Sequence, residues 1–246
     1  MRGGAAWACV FTSALLLARP ALASGFSDWG AIVVAGDWHA HSGAPSEVFD
    51  DARRDISRTL VGLGMKPQNV VQFSMRPERY PQFNPEHSDP GAISTALWDL
   101  ANRTSGGCFI YFTSHGSPDG IALNDSTLPP ETMAEMVNNA CGDRPSVVVV
   151  SACYSGVFVQ SLAAFNRMVF TAARPDRTSF GCGESDKYTF FDACFLQDFK
   201  PSGDFIDLAR NVQGCVAQRE KKEHVYPSEP QLSLGNQVAK ELPTWK

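Results

Sequence analysis

The chain has 246 residues, of which 43% are hydrophobic and 19% are charged, and its formal net charge is -5 at pH 7. This length and composition predict one globular domain with a sizeable core. The basic residues between 219 and 222 are interrupted by acids, and the overall balance is acidic. A nucleic-acid partner is therefore not expected, because such proteins present concentrated basic patches.

The first 23 residues have the pattern of a secretory signal peptide. A basic residue precedes an apolar stretch over residues 5–18, and residues 21–23 (Ala-Leu-Ala) have the small-x-small pattern of a cleavage site. The apolar stretch is shorter than the roughly 20 residues that span a bilayer, so an uncleaved anchor is the weaker interpretation. The pattern predicts cleavage after Ala23, a secreted or periplasmic protein, and no stable membrane anchor after cleavage.

The predicted mature chain keeps six cysteines: Cys108, Cys141, Cys153, Cys182, Cys194 and Cys215. An oxidising compartment favours disulfides, and six cysteines can form three of them. If one cysteine is instead a nucleophile, five remain and at least one more must be an unpaired thiol. Candidates for one bridge lie in the loop-rich C-terminal third: Cys182, Cys194 and Cys215.

Strand and helix patterns alternate along the chain. Short apolar runs rich in β-branched residues predict strands at 31–35, 69–74, 108–113, 147–151 and 168–172. Helical patterns cover 46–64, 91–104, 130–140 and 204–219. Four prolines between residues 75 and 90 predict a surface loop near the active edge. We expect an α/β domain over residues 24–225 with a mostly parallel sheet, followed by a polar tail over 226–246 without regular structure.

Two of the predicted strands end close to a reactive residue. His115-Gly116 follows the strand at 108–113, and Cys153 follows the strand at 147–151. Ligands bind at the carboxyl ends of parallel strands, and neighbouring strands lie about 4.8 Å apart, so both side chains are expected to face one substrate. A thiol needs a base or a positive helix end to become a nucleophile, and a helix is expected over residues 157–165.

This arrangement predicts a role for each residue. Cys153 is the candidate nucleophile and His115 its acid-base partner. The main-chain N–H groups of Gly116 and Cys153 are candidates to hold the developing oxyanion. A serine hydrolase is not indicated, because no G-x-S-x-G elbow is present.

The segments YFTSHGS (111–117) and SACYSG (151–156) resemble the His-Gly and Ala-Cys motifs of the legumain (asparaginyl endopeptidase) family, which includes the catalytic subunit of the GPI transamidase. The resemblance runs from about Trp29 to Phe199. It implies a caspase-like three-layer sandwich with a mostly parallel central sheet. It also implies a cysteine endopeptidase that acts on a peptide or protein substrate through a thioester, with no cofactor and no metal.

The resemblance further places Ser179 and Asp192 in the primary substrate pocket. It puts an acid, Asp51, where legumain has an arginine that lines this pocket. Two neighbouring acids would share a proton or attract a cation, so arginine or lysine before the scissile bond is expected to be accepted at least as well as asparagine. The alternative is that Asp51 faces solvent, paired with Arg54, and that Asp192 alone sets an asparagine preference.

Two other functions stay open at this point. One is transamidation or peptide ligation, in which an amine replaces water at the thioester. The other is a catalytically silent binding module of the same fold. His39 and His41 alternate along an extended stretch, but two histidines without a third ligand make a weak metal site, and a substrate-facing loop is the better interpretation.

Overall fold

The computed structural model describes residues 25–245 together with Met1, so the predicted signal peptide and its cleavage site lie outside the described residues. The strands are β1 (Gly30–Ala35), β2 (Val70–Ser74), β3 (Glu86–His87), β4 (Cys108–Thr113), β5 (Gly116–Ser117), β6 (Gly120–Leu123), β7 (Ser126–Leu128), β8 (Ser146–Ser151), β9 (Arg167–Thr171) and β10 (Gln231–Leu234). The α-helices are α1 (Val48–Gly62), α2 (Pro90–Arg103), α3 (Pro130–Cys141), α4 (Phe158–Leu162), α5 (Phe190–Gln197), α6 (Phe205–Lys222) and α7 (Val238–Glu241).

A seven-stranded sheet has the order β10-β9-β8-β4-β1-β2-β3. Its strand pairs are parallel except for β10, which runs antiparallel to β9. The strands β5, β6 and β7 form a separate three-stranded antiparallel sheet directly after β4. The mostly parallel α/β architecture expected from the alternating strand and helix patterns is therefore confirmed.

The central strands β1, β4 and β8 are buried along their whole length. Alternate side chains enter two separate cores, because successive residues of a strand point to opposite faces. Apolar residues of α1, α5 and α6 cover one face of the sheet, and those of α2, α3 and α4 cover the other. The result is a three-layer sandwich in which the carboxyl ends of the parallel strands lie at a common edge.

The five strands and four helices expected from the sequence are all present, with ends that differ by no more than three residues. The prediction of an unstructured tail is wrong, because residues after 225 supply β10, which closes the sheet edge at β9, and helix α7. The domain therefore continues past the expected boundary at 225. Part of the expected loop at 75–90 forms the short edge strand β3 beside β2.

Disulfides join Cys108 to Cys141 and Cys194 to Cys215, and among the described residues Cys153 and Cys182 are free. This pattern agrees with the expectation that a nucleophilic cysteine leaves one other thiol unpaired. The first bridge ties the start of β4 to the end of α3, and the second ties α5 to α6. No helix in residues 25–245 is long and apolar enough to cross a membrane.

Candidate active site

The histidine and cysteine motifs meet at the carboxyl edge of the sheet. Strands β4 and β8 are parallel neighbours, and their last residues, Thr113 and Ser151, are paired. Each reactive residue follows two positions later, so His115 and Cys153 leave the sheet side by side. The main chains stay in contact there: an added Cβ at Gly116 would lie only 2.3 Å from the carbonyl oxygen of Cys153. The predicted juxtaposition of the two motifs is thus present.

The imidazole of His115 is oriented by the loop that follows β1. Its Nε2 lies 3.0 Å from the main-chain oxygen of His39, and a carbonyl oxygen can only accept a hydrogen bond. Nε2 therefore carries the proton, and in the neutral ring Nδ1 is left as the basic nitrogen. The ring also packs edge-on against Phe49, with centroids 5.1 Å apart. These contacts fix the tautomer and the plane of the ring.

The thiol of Cys153 lies against the main chain of Ser179. The Ser179 N–H donates to Sγ at 3.3 Å, and the Ser179 carbonyl oxygen lies 3.4 Å from the same sulfur. The helix expected over 157–165 is shorter than predicted: a 3-10 turn (Ser155–Val157) precedes the five-residue α4. Its dipole is correspondingly limited to little more than one turn.

A cavity of about 400 Å³ opens beside the two reactive side chains. His115 and Cys153 line it together with His41, the segment 178–183 and Asp186. This size lies within the usual range for ligand pockets. A second free thiol, Cys182, lies in the same wall, and burial raises its pKa, with a smaller contribution from the neighbouring Cys153. From the sequence alone, Cys182 was predicted only as a candidate for a disulfide.

The predicted substrate-binding residues are distributed differently from expectation. Ser179 lines the cavity and contacts Sγ of Cys153. Asp51 does not line it, because its carboxylate is paired with Arg54 one helical turn further along α1. Asp192 is fully buried and does not line it either. The expected pair of adjacent pocket acids is therefore absent from this cavity, and the alternative pairing of Asp51 with Arg54 is the one found.

Asp192 instead connects the elements beneath the reactive residues. Its Oδ1 accepts a hydrogen bond from the Tyr111 hydroxyl at 2.7 Å, and its Oδ2 accepts one from the Thr113 hydroxyl at 2.6 Å. Thr189 caps the start of α5 by accepting the Asp192 N–H. Burial raises the pKa of the Asp192 carboxyl, and the hydrogen bonds from Thr113 and Tyr111 oppose this shift. The carboxyl thus ties α5 to the end of β4, two residues before His115.

The loop after β1 approaches the reactive residues, as the alternating histidines suggested. His41 lines the cavity, and its main-chain N–H donates to the carbonyl oxygen of Cys182 at 3.0 Å. The Nδ1 of His39 lies 2.7 Å from the Asp37 carboxylate. No three His, Cys, Asp or Glu side chains between residues 25 and 245 are grouped as a metal site. The hydrogen bond from His115 to the His39 carbonyl could not be predicted from the sequence, because every residue has a main-chain carbonyl.

Comparison with known proteins adds to this geometry. The structure is similar to the crystal structure of caspase-1 from Spodoptera frugiperda, with a TM-score of 0.62 and 14% sequence identity over 92% of this chain and 94% of that chain. The likeness confirms the expected caspase-like fold. No curated protein matches the sequence. The Peptidase C13 family profile matches residues 92–238, more than half of the chain, and the protein therefore belongs to this family of legumain-type cysteine peptidases.

Proposed function

We propose that the protein is an exported endopeptidase that hydrolyses peptide bonds through a Cys153–His115 dyad and a thioester intermediate. The observation that carries this proposal is the shared cavity of the two side chains, which leave adjacent strand ends. The hydrogen bond from Nε2 of His115 to the His39 carbonyl supports it, because it leaves Nδ1 as the base. Membership of the peptidase family supplies the class of reaction.

In the first half of the reaction, the Cys153 proton passes to Nδ1 of His115 and Sγ attacks the substrate carbonyl carbon, forming a C–S bond. The main-chain N–H groups of Gly116 and Cys153 stabilise the negative oxygen of the tetrahedral intermediate. His115 then gives its proton to the amine as the C–N bond breaks. In the second half, His115 takes a proton from water, the hydroxide attacks the thioester carbon, the C–S bond breaks, and His115 returns the proton to Sγ.

Covalent labelling tests the nucleophile directly. A peptidyl acyloxymethyl ketone should label the wild-type protein once, at Cys153, and Cys153→Ala should abolish both labelling and turnover while the fold persists. The matched control is Cys182→Ala, which removes the second thiol of the same cavity and should keep the label. Labelling that persists in Cys153→Ala and is lost in Cys182→Ala would show that the wrong cysteine has been assigned.

The histidine is tested in the same assay. His115→Ala should reduce turnover nearly as far as Cys153→Ala, and the double variant should be little worse than either single one, because the two groups act as a unit. Additive losses in the double variant would contradict a dyad. Circular dichroism of each variant checks that the sheet is retained.

Export is proposed on the pattern of residues 1–23 and is supported by the two disulfides, which are typical of oxidising compartments. The mature protein should begin at Ser24. Mass spectrometry of the N-terminal peptide in material recovered outside the cytoplasm measures this directly. An exported protein that still begins at Met1 would exclude cleavage at Ala23.

A further inference from the structure

One carboxylate, that of Asp186, is the fixed negative charge in the lining of the cavity beside Cys153. Asp186 is the carboxylate that lines it, and no lysine or arginine side chain contributes to its wall. The other ionisable groups there are the two thiols and the imidazoles of His41 and His115. An anionic substrate side chain would therefore meet a carboxylate with no fixed positive charge to offset it.

The Asp186 carboxylate is held in place but keeps one oxygen free. Its Oδ2 accepts the Gly183 N–H at 2.8 Å, whereas Oδ1 has no hydrogen-bond partner among residues 25–245. A Cβ at Gly183 would lie 2.9 Å from Oδ2, so glycine permits this close approach. None of the ion pairs in this part of the chain involves Asp186, and the adjacent Lys187 lies near Asp55 instead.

The same wall of the cavity contacts the nucleophile. Ser179 lies against Sγ through its main-chain N–H and carbonyl groups, and the chain runs on from Ser179 to Asp186 along the cavity. When Sγ attacks, the carbon that it binds belongs to the acyl part of the substrate. The groups next to Sγ are therefore placed to contact the residue before the scissile bond, and Asp186 lines the same cavity.

We propose that Asp186 is a specificity-determining residue and that the cavity accepts an arginine or lysine side chain immediately before the scissile bond. Oδ1 accepts a charge-assisted hydrogen bond from the guanidinium or ammonium group, while the Gly183 N–H holds Oδ2. Such bonds are stronger than those between neutral partners, which favours a cation over an asparagine amide. This inference rests on the proposed function of Cys153. It also assigns the cationic preference to a residue other than Asp51 and Asp192.

Kinetics with matched peptides test the proposal. Peptides that differ only in arginine, lysine or asparagine before the scissile bond are compared in wild type and in Asp186→Asn, which keeps an oxygen for the Gly183 N–H but removes the charge. The wild type should have a higher kcat/KM for arginine and lysine. The substitution should lower these two values by about 10- to 100-fold, as expected for loss of a charged hydrogen bond, and lower the value for asparagine by less.

The matched control is Glu184→Gln, which makes the same change in net charge two residues away. Glu184 is exposed, accepts a hydrogen bond from Ser42 and does not line the cavity, so all three peptides should be cleaved as by wild type. A wild-type preference for asparagine, or equal effects of Asp186→Asn and Glu184→Gln, would overturn the inference while leaving the proposed function intact. Absence of all cleavage together with absence of labelling at Cys153 would overturn both.

Discussion

Replacement of Gly116 by alanine tests how closely the two catalytic motifs must approach. The new Cβ would lie 2.3 Å from the Cys153 carbonyl oxygen, 2.9 Å from Cβ of Ala152 and 3.3 Å from the Cys153 carbonyl carbon. Ordinary van der Waals contact begins at 3.4 Å. Because two of these three atoms belong to the main chain, no side-chain rotation relieves the overlap. The strand ends must separate by about 1 Å to admit the methyl group.

Two losses follow from this separation. Overpacking of this kind costs about 1–3 kcal/mol in the free energy of unfolding. A shift of about 1 Å at a catalytic group costs about 100-fold in rate, and removal of an oxyanion donor costs about 100- to 1000-fold. We therefore expect Gly116→Ala to lower kcat/KM by about 100- to 1000-fold, mainly through kcat, because the oxyanion forms only along the reaction path.

Steady-state kinetics and urea unfolding measure the two effects separately. The control is Gly214→Ala in α6, where an added Cβ meets no atom within 4 Å. This substitution should stabilise the helix by up to about 1 kcal/mol and leave kcat/KM unchanged. If Gly116→Ala retains wild-type kinetics and stability, the contact between the two motifs is not required and the assignment of Gly116 is refuted.

Two further predictions concern stability. The bridge from Cys194 to Cys215 closes a loop with a sequence separation of 21, so replacing both by alanine should cost about 3 kcal/mol in urea unfolding; no change would show that the bridge does not form. Burial raises the pKa of Asp192, so the folded protein keeps a proton that the unfolded chain releases. As pH rises above about 4, wild-type stability should fall relative to Asp192→Asn; a rise would contradict the burial argument.

The sequence determined the features that depend on local pattern. Apolar runs and capping signals placed the strands and helices, and the positions of His115 and Cys153 after two such strands followed from counting residues along the chain. Parallel pairing then requires both to leave the same edge, so the reactive pair could be predicted without coordinates. The cysteine arithmetic likewise anticipated one free thiol besides the nucleophile.

The wall of the cavity was not predictable in this way. Its residues come from a segment without periodic pattern, and whether a carboxylate faces the cavity or the core depends on loop conformation and on distant partners. Tyr111 and Thr113 donate to the buried Asp192 carboxyl and offset the cost of burying it, and Asp51 is held by Arg54. Asp186 is left lining the cavity beside Cys153.

The C-terminal tail was mispredicted for a related reason. Residues 231–234 (Gln-Leu-Ser-Leu) form a short segment within a largely polar stretch, and they become a strand because β9 offers an unpaired edge with which they form main-chain hydrogen bonds. Local sequence thus determined the central strands, most of the covering helices and the edge at which the reactive residues lie. Only tertiary structure decided which side chains surround it, because burial, pairing and edge closure are properties of residues far apart in the chain.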